Sequence, residues 1–148
     1  MPRMEPAAVV QHIKENLDGL DVVEANGDWF CFYDPGRDLP KDHRFPFATL
    51  VTGDRYDQFS NLNREGVYRL NVGVGKATFQ SLFPDASATH DFTALDRLMP
   101  HPVYGNMYWL CVLSPSDATF ERIKPLLVEA HQLSASRHPS NRRSKQGG

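Results

Sequence analysis

Apolar residues recur along the chain with two different spacings, and each spacing predicts one type of regular element. Over residues 6–18 they repeat every three or four residues, as on one face of a helix. The residues on this face are Val9, Val10, Ile13 and Leu17. Two short apolar runs, 21–25 and 29–33, then flank Asn26-Gly27. Both residues of that pair tolerate the positive φ of a tight turn, so we predict a helix followed by a β-hairpin.

Three further apolar runs predict strands at residues 45–52, 66–74 and 107–113. The run at 66–74 alternates strictly between two faces, which is typical of a strand with one face buried and the other in water. Tyr68, Leu70, Val72 and Val74 lie on its apolar face. The opposite face carries Arg69 and Asn71.

Helical patterns separate and follow these strands. A short helix is expected at 76–83, and a helical turn at 93–99 opened by a Thr93-x-x-Asp96 box. Ser114-Pro115-Ser116-Asp117 predicts the start of a last helix, with Ser114 as its N-cap and the proline in its first turn. Because Pro125 lies inside the helical pattern that follows, we expect a kink or break just before it.

The order of elements predicts an α+β fold. Consecutive strands with short connections favour a mainly antiparallel sheet of about five strands. The N-terminal, middle and C-terminal helices are expected to pack on one of its faces. One domain is expected at 1–136, followed by a disordered basic tail at 137–148. An exposed strand edge at the hairpin or the third strand could pair in a homodimer.

Charge is divided unevenly along the chain. The 148 residues carry a net charge of −2, composed of −6 in residues 1–136 and +4 in the tail. An acidic body is a poor partner for a phosphate backbone, so nucleic acid is not the expected ligand. No apolar run approaches the roughly 18 residues of a membrane span, and the N-terminus does not resemble a signal peptide. We therefore expect a cytoplasmic protein.

Residues that could carry out chemistry form no recognised motif. Cys31 and Cys111 both lie in apolar strands and are expected to be buried thiols. The six histidines lack metal-ligand spacing, so neither a metal nor a cofactor is predicted. Gly73-Val74-Gly75-Lys76 lacks the spacing of a phosphate-binding loop. Asp54 and Asp57 form an acid pair in a loop, where solvated side chains are the simpler interpretation.

Two features could nevertheless form a binding surface. If a loop or helix covers the strand face that carries Arg69 and Asn71, these two side chains line a cleft; if water covers it, they are merely solvated. The second feature is residues 98–106, where His101 lies between two prolines and precedes Tyr104. A rigidly held imidazole next to a tyrosine indicates a binding loop, or else a connector whose histidine caps the backbone.

Several strings support a resemblance to a known group of proteins. They are the runs 45–49, 66–74, 91–105 and 114–121, together with Trp109. Through these strings the chain resembles an uncharacterised family of short, mainly actinobacterial proteins, and the resemblance covers about residues 6–133. A more distant resemblance is to the MmcQ/YjbR-like proteins, through Trp109 and the helix at 117–131. That resemblance implies a YjbR-like α+β fold and, for some members, DNA binding.

These observations favour a non-enzymatic module that binds a small molecule or a protein through His101, Tyr104, Arg69 and Asn71. The alternative is a small enzyme, with His101 as acid–base and Arg69 as anion clamp. A second alternative is a DNA-binding protein of MmcQ/YjbR type, although the acidic body argues against it.

Overall fold

The computed structural model describes residues 3–40 and 44–138. Its helices are α1 (Pro6–Asn16), α2 (Lys76–Leu82) and α3 (Asp117–Arg137). Its strands are β1 (Leu20–Ala25), β2 (Asp28–Tyr33), β3 (Ala48–Val51), β4 (Arg69–Gly73), β5 (Met99–Pro100) and β6 (Trp109–Leu113). The predicted α+β class is therefore confirmed, and none of the helices in the described ranges is long and apolar enough to cross a membrane.

The six strands form one antiparallel sheet in the order β1-β2-β3-β4-β6-β5. The hairpin prediction is confirmed, because Asn26 and Gly27 take φ values of 57° and 83° between β1 and β2. In the described part of the chain, β1 and β5 are the two edges of the sheet. The third strand, β3, is paired on both sides by β2 and β4, so the expectation of an edge there is wrong. Pairing of the hairpin edge, β1, in a homodimer stays a prediction.

One face of the sheet packs against all three helices and forms the larger core. Side chains of the central strands β4 and β6 meet α1 and α3 there. The strand residues include Leu70, Val72, Leu110 and Val112, and the helix residues include Val9, Ile13, Phe120, Ile123 and Leu127. Burying such aliphatic side chains contributes about 1.5–3 kcal/mol each, so this face dominates stability.

The opposite face is covered by loops rather than helices, and we call it the loop-covered face. A smaller apolar cluster lies at one end of it. Its members are Val51, Leu62, Met99, Cys111 and Leu113. Leu62 comes from the connection between β3 and β4, which folds back over the sheet. Cys111 lies on this face and Cys31 in the helix-side core, and both are free thiols.

The segment before β6 differs from its prediction. Residues 93–99 form no helical turn, and a short sixth strand, β5, begins at Met99. Asp96 has φ 60°, which no right-handed helix accommodates. Its carboxylate instead accepts a hydrogen bond from the Ser116 backbone N–H at 2.7 Å and pairs with Arg3. Asp96 of the expected capping box therefore fastens this segment to the start of α3.

The last helix also differs from its prediction at two points. Its N-cap is Ser116, not Ser114, because the Ser116 hydroxyl accepts from the Thr119 N–H at 3.3 Å. The predicted break at Pro125 is wrong, since α3 continues through it, and the alternative of a kink there stays a prediction. Ile123 and Leu127 are buried on both sides of the proline, and this packing holds the helix together despite the lost hydrogen bond.

The domain boundary stays a prediction. Helix α3 extends to Arg137, one residue beyond the expected end of the domain at 136. Residues 139–148, which make up most of the predicted disordered tail, lie outside the described residues.

Candidate functional site

Arg69 is the largest buried side chain on the loop-covered face, with an exposed fraction of 2%. Its guanidinium donates to both carboxylate oxygens of Asp57, at 3.0 and 2.7 Å. It also donates to the Ser60 hydroxyl at 2.9 Å and, through Nε, to the Asn71 amide oxygen at 2.9 Å. The prediction of a half-buried strand is therefore wrong, because residues 53–65 cover this face and supply partners for Arg69.

The covering segment is fixed by its own carboxylates. Asp54 accepts from the Leu62 N–H at 2.8 Å, which closes the loop. Burial by itself would raise the pKa of Asp57, but the hydrogen bonds and charge of Arg69 outweigh burial and hold that pKa below its ordinary 3.8. Asp57 is therefore an ionised partner that neutralises Arg69. Because the pair is bidentate, it also fixes the position of the loop over the sheet.

The hydrogen bonds of Arg69 determine the direction of the hydrogen bonds that Asn71 makes. Since its Nε donates to the Asn71 oxygen, the Asn71 amide nitrogen points the other way and donates to the Thr49 hydroxyl at 2.9 Å. Thr49 lies directly across from Asn71 in the sheet and is only half-buried. We call Asp57, Ser60, Arg69, Asn71 and Thr49 the polar network. It leads from a buried ion pair to a hydroxyl at the surface.

His101 follows β5 and is held by the backbone around it. Its Nδ1 accepts the N–H groups of Val103 and Tyr104, both at 3.0 Å. With Nδ1 acting as an acceptor, the neutral ring carries its proton on Nε2. Burial, and after it the charge of Arg69, lowers the pKa of His101 to about 4, with the charge of Asp57 partly opposing both. The ring is therefore a neutral cap of the backbone.

Trp109 is hydrogen-bonded to the His101 segment and lies on the same face of the sheet as the polar network. Its carbonyl accepts from the His101 N–H at 2.9 Å, and its strand position faces Gly73 on β4. A Cβ at Gly73 would lie 2.8 Å from the indole, so the absence of a side chain there lets the ring lie over the strand. The half-exposed indole is thus on the same face of the sheet as Asn71, which lies two residues before Gly73 on β4.

The four residues predicted for the site fall into two directly joined pairs. Arg69 bonds to Asn71, and the His101 ring lies 5.0 Å from the Tyr104 ring. The pairs are related electrostatically, because the charge of Arg69 affects the pKa of His101. Tyr104 is 51% exposed, unlike the other three residues.

Four residues of this site were not predicted as part of it: Asp57, Ser60, Thr49 and Trp109. Asp57 and Ser60 lie in a loop without apolar periodicity, and their contacts with Arg69 span 12 and 9 residues. The Asp54/Asp57 pair was the one local signal, and its simpler interpretation as solvated acids is wrong for Asp57. Thr49 and Trp109 resemble ordinary strand residues until the pairing of the strands is known.

Other places in the fold offer less for recognition. The Gly75 N–H at the start of α2 donates to the Glu129 carboxylate at 2.7 Å, so an acidic side chain occupies that helix start. A depression of about 290 Å³ between α1 and α3 is lined mainly by aliphatic side chains. Within residues 3–40 and 44–138, no group of three His, Cys, Asp or Glu side chains is placed to hold a metal ion.

Comparison with known proteins identifies the family. Residues 4–145 match the model of a family of unknown function, DUF6194. The chain belongs to this family. The match spans every element of the fold, from before α1 to beyond α3, so the loop-covered face is a feature of a DUF6194 domain. No curated protein and no solved structure matches the chain. The more distant resemblance of this DUF6194 member to MmcQ/YjbR-like proteins, and the mainly actinobacterial distribution, stay predictions.

Proposed function

We propose that this protein is a non-enzymatic, cytoplasmic module that binds a small organic molecule on its loop-covered face. The floor of the proposed site is formed by Thr49, Asn71 and Trp109, and its rim by His101 and Tyr104. The observation that carries the proposal is the polar network, which ends at a half-exposed hydroxyl on the sheet face that also carries a half-exposed indole.

The size and composition of this surface support a small ligand. It spans β3, β4 and β6, which is about 10 Å across. A few fixed polar groups among aromatic side chains are typical of small-molecule sites. Tyr56, exposed and packed edge-on against Phe30 at 6.2 Å, extends the aromatic rim on the side of β2.

The same contacts give less support to the two alternatives. An acid–base role for His101 would require a ring that gains and loses a proton, whereas its Nδ1 is occupied by two backbone N–H groups. An anion clamp would require an available guanidinium, whereas Asp57 already neutralises Arg69. Nucleic-acid binding would require a basic surface, and residues 1–136 carry −6.

The test is a ligand screen read by ¹⁵N–¹H spectra of the labelled protein. Compounds that raise the melting temperature are titrated, and we expect them to shift the amide signals of Thr49, Tyr104 and Trp109. The double variant Tyr56→Ser/Tyr104→Ser removes two exposed rim side chains. We expect it to weaken binding by about tenfold, because rings on such surfaces supply most of the apolar contact.

Val128→Ser is the matched control, because Val128 is also partly exposed but lies on α3, across the sheet. It should leave binding unchanged. The proposal fails if hits shift signals of α1 and α3 instead, or if the double tyrosine variant binds every hit as tightly as the parent.

A further inference from the structure

We infer that the ligand of the loop-covered face presents an acceptor oxygen, a carboxylate or a carbonyl, attached to a flat apolar group. This inference rests on the proposed function and names the chemical class that the site selects. It follows from three side chains of this face, Thr49, His101 and Trp109, each of which presents a hydrogen-bond donor with no acceptor among the described residues.

The first donor is the Thr49 hydroxyl. Its oxygen accepts the Asn71 N–H through one lone pair, and its own proton has no acceptor among the described residues. The orientation of Asn71 cannot reverse without breaking the bond from Arg69 Nε, and Arg69 is in turn fixed by Asp57. The buried ion pair therefore holds Asn71 as a donor to the surface hydroxyl and leaves the hydroxyl proton available to a ligand.

The second donor is Nε2 of His101. The imidazole is 95% buried, since its exposed fraction is 5%, and its Nδ1 holds two backbone N–H groups. The proton therefore stays on Nε2, which has no hydrogen-bond partner within residues 3–40 and 44–138. This N–H is not among the fully buried polar atoms of the described residues, so it remains within reach of an acceptor atom of a ligand.

The third donor is the indole N–H of Trp109, which can only donate. It too makes no hydrogen bond in the described ranges of the chain. The ring lies over Gly73, between the strand of Thr49 and the segment of His101. A flat ligand could stack on the indole while its oxygen accepts from the donor on one side of the ring, Thr49 on β3 or His101 after β5, which are three strand spacings apart.

The carboxylate and amide oxygens of the polar network are already used within the protein. Both Asp57 oxygens bind Arg69, and the Asn71 oxygen binds Arg69 Nε. A ligand bearing an ammonium group would therefore meet donors and find no available carboxylate. Because Asp57 neutralises Arg69, the site does not need a full negative charge, and a carbonyl should bind as well as a carboxylate.

Three probes of similar shape test this selectivity: benzoate, benzamide and benzylammonium. Each is titrated into the full-length ¹⁵N-labelled protein, and the shifts of the Trp109 indole N–H and the Thr49 amide give Kd. We expect benzoate and benzamide to bind at least about tenfold more tightly than benzylammonium. Thr49→Val, which removes the donor at nearly constant volume, should weaken benzoate about fivefold, and Thr49→Ser should restore it.

Trp109→Phe provides a second variant, read from the Thr49 amide, in case Thr49→Val does not fold. It removes the N–H while keeping a ring, and it should weaken benzoate more than it weakens toluene. Equal or tighter binding of benzylammonium at these signals overturns the inference and leaves the proposed site standing. If all three probes leave the signals unmoved while other screen hits shift them, the selectivity is wrong. If no compound shifts them, the proposed function is wrong as well.

Discussion

Replacing His101 by asparagine separates the hydrogen bonds that its ring accepts from the titration of that ring. The Asn amide oxygen can accept the Val103 and Tyr104 N–H groups in place of Nδ1, but it does not titrate. The folded protein lowers the pKa of His101 from 6.5 to about 4, so the unfolded chain binds a proton here at a higher pH than the folded one. The histidine therefore contributes stability above pH 6.5 that is lost as the pH falls toward 4.

The size of this loss follows from the two pKa values. Proton binding by the unfolded chain lowers the free energy of unfolding by about 2 kcal/mol between about pH 7 and pH 5, and by about 3 kcal/mol by pH 4. Urea denaturation of the parent and of His101→Asn across this range gives the difference directly. Other titrating groups are common to both proteins and cancel.

We expect the variant to lose less stability than the parent on acidification, by about 2 kcal/mol at pH 5. His101→Ala should show the same flattened pH dependence but start lower at pH 7, by about 1–3 kcal/mol, because it leaves two backbone N–H groups without an acceptor. Parallel pH profiles for the parent and both variants would refute the assignment of His101 as a ring held neutral by burial.

Three other variants test contacts on the two faces of the sheet. Asp57→Ala should lower the free energy of unfolding by about 3–5 kcal/mol, because it leaves the Arg69 charge buried, whereas the double change with Arg69→Met should recover most of that loss in urea denaturation. Gly73→Ala should lower stability by about 1–3 kcal/mol and shift the fluorescence of Trp109, since the new methyl group would lie 2.8 Å from the indole; an unchanged emission maximum would contradict this. Glu129→Ala should cost about 1 kcal/mol, measured in the same way, because α2 loses the acceptor at its first turn.

The elements that the sequence predicts well are those with local causes. The helix at 6–16 and the hairpin depend on periodicity and on Asn26-Gly27, all within a few residues of one another. Where a local signal met a stronger tertiary contact, the prediction was wrong. Asp96 had a helix-capping pattern, but its bonds to Ser116 and Arg3 place it in a left-handed conformation instead. Pro125 had the signal of a break, and the core on either side of it outweighed that signal.

The site was predictable only in part, for a related reason. Alternation along β4 correctly placed Arg69 and Asn71 on one face, but it cannot report what covers that face. The covering loop is aperiodic, and its contacts join residues far apart in sequence, such as Arg64 with Thr93. His101 was found because two flanking prolines are a local signal, whereas Trp109 needed the register of β4 and β6.

A buried ion pair such as that of Arg69 and Asp57 is seldom the most stable way to fill a core, because desolvation offsets most of the attraction. Two apolar side chains of similar volume would do as well for stability, but they would fix neither the orientation of Asn71 nor that of the Thr49 hydroxyl. The double variant Asp57→Ala/Arg69→Met separates these roles. If the pair serves recognition, the variant should remain folded while its affinity for acceptor-bearing ligands falls. The reason is that Arg69 no longer orients Asn71 and, through it, the Thr49 hydroxyl.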